Sequence, residues 1–335
     1  MKLLPGMAGA VLALLLSGCG LPGGDDELVV YTSRADHLIK PVFDAWEEKT
    51  GTRVRFITDQ DGALISRLEA EGRNSPADLL ITVDAGNLWN ATERGLLQPV
   101  DSEALRVTVP AHLRDPDDHW FGLTVRARTL VYSPARVNPE ELSTYAALAE
   151  PQWQGRLCLR TSRKVYNRSL VATMLERKGE QATEEVVAGW VDNLATDVFS
   201  NDNAVMKAIA SGPCDVGIVN TYYYGRLLRQ EPDLPVELFW ANQDTSGVHV
   251  NVSGAGVTRH APRPDRAREL LEWMAGEQAQ KILAGLNLEY PVHPEVEPDP
   301  LVAEWGDFRA DRLNVSAAGQ RQVEAVKLMD RAGYR

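Results

Sequence analysis

Apolar residues recur along this chain with two periods that alternate. Short apolar runs at 27–33, 52–58 and 77–83 have the length and flanking residues of strands. Between them, apolar residues repeat at three- and four-residue spacing over 38–50 and again from Asp61 onward, which is typical of amphipathic helices. Strand, helix, strand in this order predicts a parallel sheet with right-handed crossovers, whose ligands bind at the carboxyl ends of the strands.

The same alternation restarts downstream. Strands are predicted over 156–161 and 214–220, with helical segments between them. A further strand at 249–258 and helices over 264–283 and 316–332 complete the pattern. We therefore predict an α/β protein of two lobes that are connected more than once, each a mostly parallel sheet flanked by helices.

The amino-terminal residues have the pattern of an export signal. An apolar run over 7–16 is too short to span a bilayer comfortably, and the LSGC ending resembles the lipobox at which bacterial lipoproteins are cut and lipidated. We predict a signal peptide at 1–18, lipidation at Cys19 and a flexible tether at 19–26, with the body lipid-anchored in the periplasm or cell envelope. The alternative is a buried amino-terminal helix, but a glycine-rich tether seldom follows one.

Composition narrows the possible functions. In this chain of 335 residues, the part that follows the predicted signal peptide and tether is long enough for two lobes of ordinary domain size. A formal net charge of −12 disfavours binding to nucleic acid or adsorption to anionic lipid. Besides Cys19 the chain has Cys158 and Cys214, and an even pair in an exported protein predicts one disulfide. Two unpaired buried thiols are the alternative.

The cysteines relate the positions of two tyrosine motifs. Tyr166 follows Cys158, and Tyr222 follows Cys214, at the same offset of eight residues. If a disulfide joins two neighbouring parallel strands that run in register, both strands end at one edge of the sheet. The tyrosines would then converge at that edge.

Convergent phenols suit one kind of ligand. Tyrosines at strand ends usually pack half-buried with the hydroxyl group in solvent, and a phenol ionises only near pH 10. A hard trivalent cation can remove those protons, and three phenolates neutralise the charge of Fe(III). Hard oxygen donors also select such an ion over zinc or copper(I), and tyrosinate is an iron ligand in catalase.

No catalytic motif accompanies the tyrosines. The six histidines lack the HExxH spacing, and the GxSxG, GxxxxGKS/T and CxxC motifs are absent from the sequence. We therefore expect a binding protein and not an enzyme.

Several segments together resemble a known family. The segments are YTSR at 31–34, SPADLLITVDAGNLW at 75–89, KVYNRSL at 164–170 and CDVGIVNTYYYGRL at 214–227. In this order they are similar to the periplasmic ferric-iron-binding proteins of ABC importers, which have the class-II periplasmic-binding fold. The likeness covers nearly the whole mature chain. It implies a ligand cleft between two lobes, Fe(III) as cargo and delivery to an ABC transporter permease in the inner membrane.

The resemblance also implies roles for single residues. It makes Tyr166, Tyr222 and Tyr223 the iron-binding phenolates and leaves Tyr224 as a packing residue. It implies a first lobe of residues 27–125 and 252–300, and a second lobe of 126–251 and 301–335 that carries the tyrosines. We expect the protein to be a monomer.

One departure from the family lies in the first lobe. Several relatives place His-Tyr just after the opening strand, where this chain has Ala35 and Asp36. A fourth phenolate is therefore not expected, although Asp36 or His37 could add a ligand. Other members use three tyrosines and complete the coordination of the metal with a synergistic anion such as carbonate, and this sequence resembles that subtype.

An anion requires positively charged or N–H donors. Arg34, after the first strand, and Arg126, where the chain should cross between lobes, are predicted to hold it by charge-assisted hydrogen bonds. Ser162 and Asn203 precede helical segments and are expected to add donors at the helix starts. The alternatives are salt bridges for the arginines and simple helix capping for Ser162 and Asn203.

Two other functions remain open. The tyrosines could form an aromatic cage for an organic cation such as a polyamine or thiamine. A tyrosine could also act as general acid or base in a surface enzyme, although the sequence shows no partner base.

Overall fold

The computed structural model describes residues 27–335. The predicted signal peptide at 1–18, the lipidation site at Cys19 and the tether at 19–26 lie outside the described residues. Within the described part of the chain, no helix is long and apolar enough to cross a membrane.

Strands and helices alternate along the described chain. The strands are β1 (Glu27–Thr32), β2 (Arg53–Thr58), β3 (Leu79–Thr82), β4 (Phe121–Tyr132), β5 (Leu157–Cys158), β6 (Val216–Asn220), β7 (Glu237–Phe239), β8 (Val250–Val257) and β9 (Tyr290–Pro291). The helices are α1 (Asp36–Thr50), α2 (Asp61–Glu71), α3 (Ala85–Glu93), α4 (Glu103–Thr108), α5 (Val165–Lys178), α6 (Glu180–Asp192), α7 (Asp202–Ser211), α8 (Thr221–Gln230), α9 (Pro264–Ala275), α10 (Glu277–Asn287), α11 (Pro300–Ala303), α12 (Ala317–Gln320) and α13 (Gln322–Arg331).

Helix α1 shows how the hydrophobic period determines packing. Ile39, Val42, Phe43 and Trp46 repeat at helical spacing, and all four are buried. Gly51 ends the helix with a left-handed backbone conformation, φ 75°, in which its N–H donates to the carbonyl of an earlier turn. The predicted helix over 38–50 is thus confirmed, with its start two residues earlier.

The strands form a mixed sheet in the order β2-β1-β3-β8-β4-β6-β5, with β7 and β9 also paired to β4. β1 is parallel to β2 and β3, and β5 is parallel to β6. β4 and β8 run antiparallel to each other and to their other neighbours. The predicted α/β class is confirmed, but the sheets are mixed and not mostly parallel, because β4 and β8 add antiparallel pairings.

The long strand β4 joins the two halves of the sheet. Its residues 121–127 pair with β8, and its residues 128–132 pair with β6. All of β4 is buried, including Arg126 and Arg128. The largest apolar core extends from β1 and β3 through β8 and β4 to α5 and α6. β4 therefore links the core of the first sheet half to the elements that carry the tyrosines.

Three predicted elements differ in extent. The helix predicted over 264–283 is divided into α9 and α10 by Gly276, whose backbone is extended. The helix predicted over 316–332 is divided into α12 and α13. The strand predicted over 156–161 contains only the two residues of β5, followed by an isolated bridge between Arg160 and Phe199.

Cys158 and Cys214 form a disulfide with Cα atoms 5.9 Å apart. The predicted register is wrong, because Cys158 lies opposite Gly217 and Cys214 precedes β6. The bridge therefore joins β5 to the segment that enters β6. Both cysteines belong to a second apolar cluster, which also contains Tyr224.

Removing the bridge tests its contribution to stability. The two cysteines are 56 residues apart, and closing a loop of that size corresponds to about 4 kcal/mol of unfolding free energy. We expect a Cys158→Ala/Cys214→Ala variant to lose about that amount in a denaturant titration. Dithiothreitol should lower the stability of the parent protein and leave the variant unchanged. A reductant effect of equal size on both proteins would contradict this account.

Candidate metal centre

Tyr166 lies in the first turn of α5, and its neighbour Asn167 fixes that turn. Asn167 donates from Nδ2 to the carbonyls of Arg160 and Thr161, each at 2.9 Å. Its Oδ1 accepts hydrogen bonds from Nε and Nη2 of Arg128 at 2.9 and 2.6 Å. The start of α5 is therefore attached to β4 through a buried guanidinium group.

Tyr222 and Tyr223 lie in the first turn of α8, directly after β6. Arg128 donates from Nη1 to Oδ1 of Asn220, the last residue of β6, at 3.0 Å. The carboxylate of Asp202 accepts from the backbone N–H of Asn220 at 3.0 Å and from Arg128 at 3.1 Å. One buried Arg128–Asp202 ion pair thus positions both helix starts that carry the tyrosines.

The phenol rings of Tyr166, Tyr222 and Tyr223 lie together. The ring centroids of Tyr166 and Tyr222 are 6.4 Å apart in an edge-on arrangement, and those of Tyr222 and Tyr223 are 4.4 Å apart. Tyr224 points elsewhere, since its hydroxyl donates to the carbonyl of Val236 at 3.3 Å and its ring contacts Trp305. The structure therefore brings the three predicted tyrosines together and places the fourth in the core.

The three tyrosines line a cleft of about 790 Å³. Both halves of the sheet contribute to its walls, which fits a ligand site between lobes. Its lining residues are Ser33, Arg34, Ala35, Leu38, Asp59, Gln60, Asp61, Gly62, Val83, Asn87, Arg126, Arg163, Lys164, Val165, Tyr166, Arg168, Tyr222, Tyr223, Arg226, Glu289 and Gln322.

The phenols of Tyr166 and Tyr222 resist ionisation in the unliganded cleft. Burial raises the pKa of both groups well above the ordinary value for tyrosine, and repulsion from neighbouring phenolates adds to that effect. The guanidinium of Arg126 opposes the rise in both pKa values. A bound cation of high charge would therefore be needed to deprotonate these phenols near neutral pH.

Cationic side chains lie close to the same rings. The Arg160 guanidinium lies 5.6 Å from the Tyr166 ring centroid and 5.8 Å from that of Tyr223. The Lys164 ammonium lies 4.8 Å from the Tyr166 centroid, and the Arg226 guanidinium 4.9 Å from that of Tyr222. These charges would stabilise phenolates once a metal had formed them.

The two arginines predicted to bind an anion line the cleft, but most of their donors have protein partners. Arg34 is buried and donates to Oε2 of Glu289 and Oδ1 of Asn287, each at 2.5 Å, and to Thr124 at 3.1 Å. Although burial opposes the effect, Arg34 holds the pKa of Glu289 below its usual value. The ion-pair alternative for Arg34 is therefore the arrangement that the structure shows.

Arg126 has a similar set of internal partners. It donates to the Val83 carbonyl and, at 3.2 Å, to the Ser253 hydroxyl, and it lies 3.7 Å from the Asp84 carboxylate. Its guanidinium also lies 5.8 Å from the Tyr166 ring centroid. Arg126 is thus well placed to influence the phenols but has few donors left for an anion.

Ser162 and Asn203 are not among the residues that line the cleft within 27–335. Ser162 lines a separate cavity beside the carboxyl-terminal residue Arg335. Asn201, and not Asn203, caps α7, because its side chain accepts from the N–H of Ala204 at 2.9 Å. The structure therefore brings neither predicted anion donor to the tyrosines.

The first-lobe candidates Asp36 and His37 begin α1, between Ala35 and Leu38, which line the cleft. Asp36 accepts a hydrogen bond from the Thr58 hydroxyl at 2.6 Å, and neither Asp36 nor His37 lines the cleft. Across the described range, no group of three or more His, Cys, Asp or Glu side chains could hold a metal. The tyrosine cluster is therefore the candidate metal centre.

Sequence reasoning missed a buried polar cluster behind the cleft. Asp84, at the start of α3, accepts from the Ser169 hydroxyl at 2.8 Å and from Nδ2 of Asn251 at 3.0 Å. Ser169 lies one turn beyond Tyr166 in α5, and Asn251 lies in β8. Asp84 therefore connects α3, β8 and the tyrosine-bearing α5. An aspartate directly before Ala85 and Gly86, at the start of a helix, is a recognisable N-cap signal. Nothing in the sequence indicated the distant partners of Asp84.

Residues 74–305, which are more than half of the chain, match the family of bacterial extracellular solute-binding proteins. The chain belongs to this family. Members of the family are solute-binding transport proteins, which agrees with the expectation of a non-enzymatic binding role.

Individual relatives share most of their length with this solute-binding protein. Iron uptake protein A1 of Synechocystis is 41% identical, covering 96% of this chain and 93% of the relative. A Trichodesmium protein solved in complex with iron and citrate ligands is 41% identical with a TM-score of 0.90, covering 92% of this chain and 100% of that one. The ferric binding protein of Campylobacter jejuni is 33% identical with a TM-score of 0.86, covering 92% and 100%. The predicted resemblance and the two-lobed periplasmic-binding fold are thereby confirmed.

The buried ion pair behind the tyrosines can be tested by a single charge removal. Asp202→Asn leaves the buried guanidinium groups of Arg128 and Arg160 without their carboxylate, which lies 3.1 and 3.5 Å away. We expect a loss of about 3–5 kcal/mol in unfolding free energy, measured by denaturant titration. Asp44→Asn, which breaks an exposed pair with Lys40, is the matched control and should change stability little. Equal effects of the two variants would contradict a structural role for the buried pair.

Proposed function

We propose that this protein binds Fe(III) between its lobes and delivers it to an ABC transporter permease in the inner membrane. The observation that carries the proposal is the convergence of the Tyr166, Tyr222 and Tyr223 rings at the cleft. Hard phenolate oxygens suit Fe(III), and similar proteins are named for iron uptake and ferric binding.

Coordination would proceed by exchange of protons for the metal. The three phenols lose their protons to solvent as Fe(III) binds, and three phenolates balance its charge. Arg126, Arg160 and Lys164 then stabilise the phenolates electrostatically. A synergistic anion, for which carbonate is the simplest candidate, would complete the coordination of the metal.

Closure of the cleft would use the strands that join the lobes. We assign residues 27–125 and 252–300 to the first lobe and residues 126–251 and 301–335 to the second. Both boundaries at 125/126 and 251/252 fall where β4 pairs with β8. Rotation about these two strands would bring the first lobe over the metal, and the closed form would be presented to the permease.

The proposed location at the membrane rests on the lipobox-like sequence that ends at Cys19. Lipidation of Cys19 would hold a monomeric binding protein in the periplasm, close to its permease. A single acyl chain binds membranes only reversibly, so stable anchoring would require two or more chains on Cys19.

The organic-cation alternative is disfavoured by charge. Arg163, Lys164, Arg168 and Arg226 line the same cleft as the tyrosines. A polyamine or thiamine would meet these four positive charges at short range, whereas the aromatic cage needs an accessible ring face free of competing cations. An iron centre that is completed by an anion fits these charges better.

Conservative tyrosine variants test the ligand set. We expect Tyr166→Phe, Tyr222→Phe and Tyr223→Phe each to weaken Fe(III) binding by more than about a hundredfold, because loss of even an outer partner of a metal ligand costs 10–100-fold. Each should also diminish the visible phenolate-to-iron absorption band. Tyr224→Phe is the matched control, since its ring lies in the core, and it should keep both affinity and colour. A colourless parent protein after iron loading would overturn the proposal.

The proton exchange predicts a steep pH dependence. Burial raises the pKa of Tyr166 and Tyr222, so the phenols are protonated at neutral pH and protons compete with the metal. Apparent Fe(III) affinity should therefore fall as pH falls, by up to about a thousandfold per pH unit for three released protons. Transfer of Fe(III) from nitrilotriacetate at several pH values measures the slope for the parent protein and for Tyr222→Phe. The variant should release one proton fewer, and identical slopes would contradict its role as a phenolate ligand.

A further inference from the structure

The turn at 160–164, which joins β5 to α5, carries a guanidinium group beside two of the clustered tyrosines. Arg160 lies 5.6 Å from the ring centroid of Tyr166 and 5.8 Å from that of Tyr223. Its guanidinium reaches the Asp202 carboxylate only at 3.5 Å, which is longer than the usual hydrogen bond. Within the described residues, Nε of Arg160 is buried without a hydrogen-bond partner. Side-chain contacts therefore hold this group weakly, and the backbone of Arg160 must set its position.

The backbone of this turn is held by the carboxyl-terminal residues. The carbonyl of Arg160 accepts a hydrogen bond from the Tyr334 hydroxyl at 2.6 Å and from Nδ2 of Asn167 at 2.9 Å. The N–H of Ser162 donates to the Arg335 carbonyl at 3.1 Å. Asn167 lies in the helix that the turn begins, whereas Tyr334 lies 174 residues further along the chain. Tyr334 therefore ties the turn to a separate part of the second lobe.

Tyr334 is itself fixed in place. Its ring is buried in the largest apolar core, next to α13, which packs against α5 and α6. Gly333 has a φ of 77°, which turns the chain after α13 so that the N–H of Tyr334 donates to the Met329 carbonyl at 2.9 Å. Burial raises the pKa of Tyr334, so its hydroxyl keeps its proton and acts as a donor. The anchor of the turn is thus a rigid one.

We infer that Tyr334 is a positioning residue of the iron centre, which holds the backbone of Arg160 so that its guanidinium stays beside the phenols of Tyr166 and Tyr223. This inference rests on the proposed iron-binding function and adds to it a residue that does not line the cleft. A buried cation beside a phenolate stabilises it more strongly than a cation in water would. Tyr334 thus acts on the iron through Arg160.

Removal of one hydroxyl group tests this role. Tyr334→Phe keeps the ring in the core and deletes the donor to the Arg160 carbonyl. We expect Fe(III) affinity, measured by transfer from nitrilotriacetate at one pH, to fall about fivefold, the effect of one hydrogen bond. The visible phenolate-to-iron band should move to longer wavelength. A cation that has moved away no longer stabilises the phenolate orbital from which the electron is transferred.

Tyr132→Phe is the matched control. The hydroxyl of Tyr132 donates to Glu237 at 2.7 Å, and Tyr132 ends β4 and does not line the cleft. Both variants lose one hydroxyl and one hydrogen bond, so both should unfold at a lower denaturant concentration than the parent. Only Tyr334→Phe should change the iron affinity and the band. Equal effects of the two variants on iron binding would overturn the inference, because a general loss of stability would then explain them.

A double-mutant cycle tests whether Tyr334 acts through Arg160. Arg160→Gln removes the cation and keeps the backbone carbonyl to which Tyr334 donates. By itself it should weaken Fe(III) binding and move the band in the same direction as Tyr334→Phe. In the Arg160→Gln background, Tyr334→Phe should change the affinity by less than about twofold. Additive losses would overturn the inference, because Tyr334 would then act on Tyr166 or on the fold at large.

The outcomes separate this inference from the function on which it rests. Failure of the parent protein to take Fe(III) from nitrilotriacetate would overturn the proposed function itself. Iron binding by the parent, with unchanged affinity and band in Tyr334→Phe, would overturn only the positioning role of Tyr334.

Discussion

The buried ion pair between Arg128 and Asp202 is the constraint on which the geometry of the tyrosine cluster depends. Arg128 reaches Asn167 beside Tyr166 and Asn220 just before Tyr222, so one guanidinium group sets the distance between two helix starts. Burying that charge is tolerable only because Asp202 accepts from it and from Arg160. The disulfide between Cys158 and Cys214 joins β5 to the segment that enters β6, and so restrains the strands that precede these two helices. Residues far apart in sequence thereby present three phenols to one space.

Electrostatics explain why such a cluster suits a trivalent cation. Burial and mutual repulsion keep the phenols of Tyr166 and Tyr222 protonated in the empty cleft, and their pKa values are accordingly raised. A metal ion of high charge reverses that balance, and the surrounding cations then favour the phenolate form. The same cations oppose an organic cation and favour an anion alongside the metal. These charges support the proposal of a ferric centre together with a negatively charged co-ligand.

The sequence predicted the elements whose signals are local. Periodic apolar residues identified β1, α1 and α2. The tyrosines converge as the offset between cysteines and tyrosines predicted, but the in-register pairing from which that prediction was argued is wrong. β4 was missed because Arg126 and Arg128 interrupt its apolar pattern, and their compensation by Asp84 and Asp202 comes from distant parts of the chain. The carboxylates near Arg34 and Arg126, the two arginines that were predicted to bind an anion, likewise come from distant parts of the chain.

The most direct test of the central claim is a crystal structure of the iron-loaded protein with anomalous diffraction recorded at the iron absorption edge. Our account predicts a single anomalous peak in the cleft, coordinated by the phenol oxygens of Tyr166, Tyr222 and Tyr223 together. An iron peak elsewhere in the molecule, or one that only a single tyrosine contacts, would contradict it.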